Sequence, residues 1–320
     1  MNNERIGLPD LAKETVNVTK ELFVRGLRIR PSALTLVGLT AVFKGHFPIQ
    51  DNSNIDFYVN MAQFQARTND LLDIIPIAAE SKDLPSGSFG VVRTHYQSIQ
   101  RERRATLTRL REPEEGHEVR RAVVNNYMAE IALINRDERK KSEGTYYQGN
   151  VIAYRALENA VSLVNLSAIV LDHSELKARV LPKIEKRTTQ AVKEKYNWIL
   201  EGNPETSMER KLCALFNIVM GLQCCDDVLD LKHDSRLGLH TIATETLKMH
   251  DGDERKTRQT VAKIRDEYYK RARGLGATKA ATSAINSTYK LVKLIMDAFP
   301  KRFGAPREKL LAELKTVEGL

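Results

Sequence analysis

Cysteine is scarce in this chain. Only Cys213, Cys224 and Cys225 occur among 320 residues. Neighbouring cysteines seldom pair, and the spacing is not that of a metal site. A disulfide framework is therefore not expected, and a reduced, cytoplasmic chain is the simplest reading. Aromatic residues make up 6% of the sequence, and Lys and Arg are dispersed rather than massed in one tract. Both features argue against nucleic acid as the partner. Long apolar runs are lacking as well. The longest, at 160–171, is broken by Asn165 and Ser167, so no transmembrane segment is expected. Residues 1–10 lack the apolar core of a signal peptide. Internal repeats and Pro/Gly-rich linkers are also missing, which leaves one domain over 1–320.

What is present fits a soluble globular protein. Hydrophobic residues are 42% and charged residues 28% of the chain, and this length can bury a sizeable core. The net charge of +9 suits an anionic ligand or partner without naming one. Helical periodicity dominates. Amphipathic stretches cover 11–23 and 32–44, the second opened by Pro31. Further helices are predicted at 55–82, with Pro76 as a kink or end, and at 89–110, 114–136, 146–171, 174–200, 207–231, 254–273 and 280–299. A short helix follows Pro306. Residues 137–144 read as a charged linker and 233–246 as a loop. No convincing strand appears. The pattern predicts an all-α bundle of about ten helices.

Two acidic clusters stand out. Asn69-Asp70-Leu71-Leu72-Asp73 lies on the third predicted helix, and Asp226-Asp227-Val228-Leu229-Asp230 lies near the end of the 207–231 helix. Carboxylates three and four apart share a helix face. In the second cluster Gln223, Asp226, Asp227 and Asp230 are expected on one side of a helix otherwise built from Leu215, Phe216, Ile218, Val219, Met220, Leu222 and Leu229. Buried together without cations, these carboxylates would repel one another. Two such faces opposed across a bundle would hold hard divalent cations and, through them, a diphosphate, because Mg²⁺ is commonly bound by one or two carboxylates plus substrate phosphates. Asp70 and Asp73 have a plainer alternative: ion pairs with Arg67 or Lys82. The third feature is Arg25-Gly26-Leu27-Arg28-Ile29-Arg30-Pro31. Its guanidinium groups suit bidentate phosphate contacts, with an ordinary charged helix end as the other reading.

Together these three segments resemble the trans-isoprenyl diphosphate synthases of the class I terpenoid synthase superfamily. That family carries a Gly-Lys-Arg-x-Arg-Pro segment, then an aspartate-rich DDxxD motif, then a distant GxxFQxxDDxxD motif. Here the counterparts run Gly26 to Pro31, Asn69 to Asp73 and Gly221 to Asp230, so the resemblance spans roughly residues 15–300. Gly221-Leu222-Gln223-Cys224-Cys225-Asp226-Asp227-Val228-Leu229-Asp230 is its most specific part.

The resemblance implies an isoprenoid synthase-type bundle around a central cavity, Mg²⁺ as cofactor and usually a homodimer. It implies metal ligation and catalysis by Asp70, Asp73, Asp226, Asp227 and Asp230, with Asn69 as a further metal ligand. Diphosphate binding would fall to Arg28, Arg30, Gln223, Arg236 and Lys248, with His240 and Thr241 close by. Phe64 and Gln65 correspond to positions that limit pocket depth. Tyr147 and Asn150 fall where the family has a Lys-Thr pair and are expected to line the pocket.

Departures from the pattern are equally informative. The family lysine is Leu27, the first aspartate of the first motif is Asn69, and the expected His or Gln is Ala62. The arginine pair after the first motif is replaced by Ser81-Lys82-Asp83-Leu84-Pro85. These positions normally help to hold isopentenyl diphosphate. The expected activity is therefore ionisation of one allylic prenyl diphosphate. The cation is then cyclised, as in terpene synthases, or captured by a non-isopentenyl acceptor. A chain-elongating polyprenyl diphosphate synthase and a non-catalytic regulatory subunit of one are the alternatives.

Overall fold

The computed structural model describes residues 86–111, 118–142, 148–170, 174–236 and 238–279. It also describes positions 60, 64, 67, 70, 71, 74, 282, 283, 286, 287, 309, 310, 313 and 314. Expected features at Arg28, Arg30, Gln65, Asn69, Asp73 and Tyr147 lie outside the described residues. The chain divides into two compact units, 1–117 with 287–320, and 118–286. The described residues are helical or in turns, with no strand among them. The fold is all-α.

In the first unit, α1 (Ser86–Arg111) is the one continuous described helix. Its inward residues Val92 and Ile99 pack with Leu71, Ile74, Leu310 and Leu314. Val92 and Ile99 lie seven apart, one face of a helix. The other faces of α1 carry Arg93, Arg101 and Arg104, all exposed.

The second unit holds α2 (Glu118–Ser142), α3 (Gln148–Val170), α4 (Ser174–Val180), α5 (Thr189–Lys195), α6 (Asn197–Leu200), α7 (Ser207–Leu229), α8 (Leu231–Arg236), α9 (Ile242–Met249) and α10 (Glu254–Gly274). The central element is α7, which packs on α10, α3 and α9. Leu212, Cys213, Leu215, Phe216, Ile218, Met220 and Leu222 on it are all buried. That is why this stretch is long and apolar enough to pass for a membrane span, a property that run lengths alone did not show. Of its most apolar window, 72% is buried inside the fold.

The start of α7 is a capping box. Thr206 Oγ1 accepts from the Glu209 amide at 3.2 Å, and Glu209 Oε2 accepts from the Thr206 amide at 3.3 Å. Two otherwise orphaned donors are thereby satisfied. Arg179 bonds Glu209 Oε1 at 2.5 Å and neutralises that buried carboxylate.

Three predicted boundaries change. Residues 137–142 continue α2 rather than forming a linker, because Arg, Glu and Lys are good helix formers even without an apolar stripe. The single helix predicted over 174–200 is three pieces. Pro182 cannot donate a backbone bond, and Thr188 caps a new start by accepting from the Ala191 amide. The predicted loop at 233–246 contains most of α8 and the first half of α9.

The break after α4 is held by side chains. Lys195 Nζ donates to Val180 O at 2.7 Å and Pro182 O at 3.0 Å. Asn126 Nδ2 donates to Val180 O and Leu181 O. These bonds satisfy carbonyls that the helix end leaves open. Lys195 also bonds Glu130 Oε1 at 2.7 Å, and Tyr196 Oη donates to Glu130 Oε2 at 2.7 Å. Asn165 Nδ2 donates to Tyr196 Oη, which ties α3 to the same group. Burial, reinforced by the Glu130 charge, pushes the Tyr196 hydroxyl well above its ordinary range.

Candidate functional site

The Gly221-to-Asp230 motif occupies the last turns of α7. Its geometry begins with Gly221. A Cβ placed there would sit 2.2 Å from Cε1 of Tyr269. Glycine is therefore what lets α7 approach the buried Tyr269 ring of α10. Cys225 Sγ lies 3.1 Å from Asn286 Oδ1. All three cysteines are buried, and none is in a disulfide. Burial first, then Asp227 and Cys225, push the Cys224 thiol up, and burial with Glu209 pushes Cys213 up to about 12.

The four polar residues expected on one face divide between two neighbouring ridges. Gln223 and Asp227 form one; Asp226 and Asp230 form the other. Each pair is four residues apart, and the two ridges lie about 60° apart, so all four residues still share one face of about 100°. Asp227 is only 2% exposed. Its Oδ1 accepts from Gln223 Nε2 at 2.7 Å and its Oδ2 from the Ile242 amide at 2.7 Å. Burial drives the Asp227 carboxyl upward. The Gln223 bond, the nearby Arg155 charge and the amides of Ile242 and Ala243 pull it back. Gln223, expected to bind diphosphate, is thus turned onto its own helix. Asp226 and Asp230 are half-buried, and Asp230 closes α7 with its amide bonded to Asp226 O at 2.9 Å. Arg258 Nη1 from α10 reaches Val228 O at 3.2 Å in the same final turn.

Helix α9 begins at this ridge. Thr241 caps it, accepting from the Thr244 amide at 3.2 Å. Glu245 is buried at 1% exposure, and its Oε1 receives both His240 Nδ1 at 2.7 Å and Lys248 Nζ at 2.6 Å. Lys248, expected to bind diphosphate, therefore stands over a carboxylate that already offsets part of its charge. Arg236 falls in α8. Asn150 is a half-buried residue of the first turn of α3.

In the first unit Asp70 is buried at 8% exposure and bonds Arg67 Nη1 at 3.3 Å. Arg67 also pairs with Glu102 of α1. The ion-pair alternative for Asp70 is the arrangement present. Phe64, expected as a pocket wall, is 4% exposed with the Arg103 guanidinium over its ring at 4.7 Å.

Arg155 and Glu245 escaped the sequence reading. Arg155 bonds Glu158 one turn along α3 at 2.9 Å and acts electrostatically on Asp227. Neither residue sits in a motif, and only packing brings it to the site. Among the described residues no group of three His, Cys, Asp or Glu side chains is gathered to hold a metal ion. What remains chemically suited to Mg²⁺ is the two-carboxylate ridge of Asp226 and Asp230. Hard oxygen donors in that number match how Mg²⁺ is commonly held when phosphate completes the shell. Compared with protein-family models, curated proteins and solved structures, the chain matches none.

Proposed function

We propose that this protein is a Mg²⁺-dependent enzyme that ionises an allylic prenyl diphosphate, then cyclises the resulting cation or transfers it to a non-isopentenyl acceptor. One observation carries the reading. Two half-buried carboxylates, Asp226 and Asp230, stand at i,i+4 at the end of an otherwise apolar, buried helix, inside a ten-residue segment of the class I pattern. Asp226 and Asp230 would hold Mg²⁺, which would supply charge neutralisation for a departing diphosphate. The chain's own side chains, Lys248 and His240 on Glu245 and Arg236 nearby in sequence, would bind and orient the same anion. Apolar neighbours such as Leu222 and Met220 exclude water from the α7 core.

The test is diphosphate release. The purified chain, incubated alone with Mg²⁺ and prenyl diphosphates of several lengths, releases diphosphate. Asp226→Ala and Asp230→Ala lose that activity while keeping their helical circular dichroism. Full activity in both variants, or in excess chelator, would sink the proposal.

A second reading, a non-catalytic subunit, draws support from Asp70, which is bonded to Arg67, and from Asp227, which is spent on backbone amides. Turnover without any partner chain excludes it.

A further inference from the structure

We infer that Asp227 is a latch that positions helix α9, and that it is not the third metal ligand of its motif. The inference rests on the metal-dependent reading only in taking Asp226 and Asp230 as the metal-facing ridge. The latch itself is read from hydrogen bonds.

The first amides of any helix lack intrahelical partners. In α9 most of them have an acceptor. The Ile242 amide donates to Asp227 Oδ2 at 2.7 Å, and the neighbouring Ala243 amide stabilises the same carboxylate electrostatically. The Thr244 amide donates to Thr241 Oγ1, and the Glu245 amide to Thr241 O at 3.0 Å. The Asp227 charge thus sits at the positive end of α9, where a carboxylate is stabilised and a cation is not. Its other oxygen is taken by Gln223 at 2.7 Å. With 2% exposure and N–H donors on both oxygens, Asp227 is committed to α9 and Gln223 rather than turned outward to an ion.

The consequence is positional. Helix α9 carries Glu245 and Lys248, and His240 lies just before it. Glu245 Oε1 fixes both the His240 and the Lys248 side chain, at 2.7 Å and 2.6 Å. Asp227 therefore sets where that cationic group stands relative to the Asp226 and Asp230 ridge on the same helix α7. The motif divides its labour: one ridge faces the ion, the other holds the element that presents the anion's counter-charges.

The experiment uses full-length Asp227→Asn, Asp227→Ala and Asp226→Asn. Three readouts apply: amide hydrogen exchange at Ile242 and Ala243, Mn²⁺ affinity, and binding of inorganic diphosphate. An asparagine at 227 still accepts from Ile242 through its oxygen, and the Gln223 amide rotates to receive its NH₂, so both bonds persist. Asp227→Asn is expected to keep parental Mn²⁺ affinity and slow exchange at Ile242, while Asp226→Asn loses Mn²⁺ binding about tenfold or more, as loss of a ligand demands. Asp227→Ala is expected to speed exchange at both amides and to weaken diphosphate binding with Mn²⁺ affinity unchanged. Asparagine rescue of both effects marks positioning rather than charge. Loss of Mn²⁺ affinity in Asp227→Asn equal to that in Asp226→Asn overturns the latch, as does unchanged exchange in Asp227→Ala. If the parent itself binds no Mn²⁺, the metal-dependent function falls, and the exchange data alone still decide the latch.

Discussion

Gly221 and Tyr269 show how a single residue sets the spacing at the site. Gly221→Ala removes a helix-weakening glycine, a gain of about 1 kcal/mol in an open helix. Here the new methyl meets the Tyr269 ring at 2.2 Å, and overpacking of that kind costs about 1–3 kcal/mol. The expected outcome is a less stable protein, measured by urea unfolding. A stabilised variant would mean that the Tyr269 ring moves aside freely. The cysteines give a second residue-scale prediction. Cys213 is buried with its thiol pushed up to about 12, and the thiolate is the reactive form. At pH 8 the folded chain should resist iodoacetamide at all three cysteines, and in denaturant it should take up label at each. Intact-mass analysis distinguishes the two. The candidate residues Asp226, Asp227 and Asp230 were legible in the sequence, because acidic residues three and four apart mark a shared helix face. The Asp70–Arg67 pair, three residues apart, was legible as the plainer alternative. That Asp227 answers the Ile242 amide of α9 was not, because it depends on packing between segments that spacing does not encode.

At the scale of elements, long helices were legible and short ones were not. The predicted 254–273 helix matches α10 (Glu254–Gly274) closely. Its buried Thr257, Val261, Tyr269 and Ala272 keep to one stripe, and Asp253 caps it by accepting from the Lys256 amide. Such signals are local. By contrast α9 has only eight residues, Ile242–Met249, too few to stand alone in water. It forms because Thr241 and Asp227 satisfy its first amides. The pieces between 174 and 200 depend similarly on distant side chains. Lys195 holds the end of α4 and neutralises Glu130, with side-chain exposures of 12% and 4%. Removing one partner of a buried pair leaves a charge unanswered and costs roughly 3–5 kcal/mol. Lys195→Met should therefore destabilise strongly, and adding Glu130→Gln should recover part of the loss. Chemical unfolding of the single and double variants checks this. Equal losses in both would mean that the carbonyls of Val180 and Pro182, rather than Glu130, are what Lys195 serves.

At the scale of the whole molecule the two acidic motifs fall in different compact units, Asn69 to Asp73 within 1–117 and Asp226 to Asp230 within 118–286. The question at this scale is which second substrate the proposed enzyme accepts, and the sequence bears on it directly. A second diphosphate must give up its hydration, and charged hydrogen bonds have to offset that cost. Leu27 and Ala62 stand where the resembling family places two of those contacts, and Ser81-Lys82-Asp83 stands where it places an arginine pair. Each lost charge-assisted bond is worth about 1.5–3 kcal/mol. Losing two therefore weakens binding by on the order of a hundredfold or more. Isopentenyl diphosphate is thus expected to be a poor co-substrate, leaving Arg28 and Arg30 for a carboxylate or another anion on a different acceptor. Product analysis with an allylic diphosphate, with and without isopentenyl diphosphate, measures this. Efficient elongation at micromolar isopentenyl diphosphate would show that other basic residues, such as Lys82 or Arg93, supply the missing contacts, and would make the chain an ordinary polyprenyl diphosphate synthase.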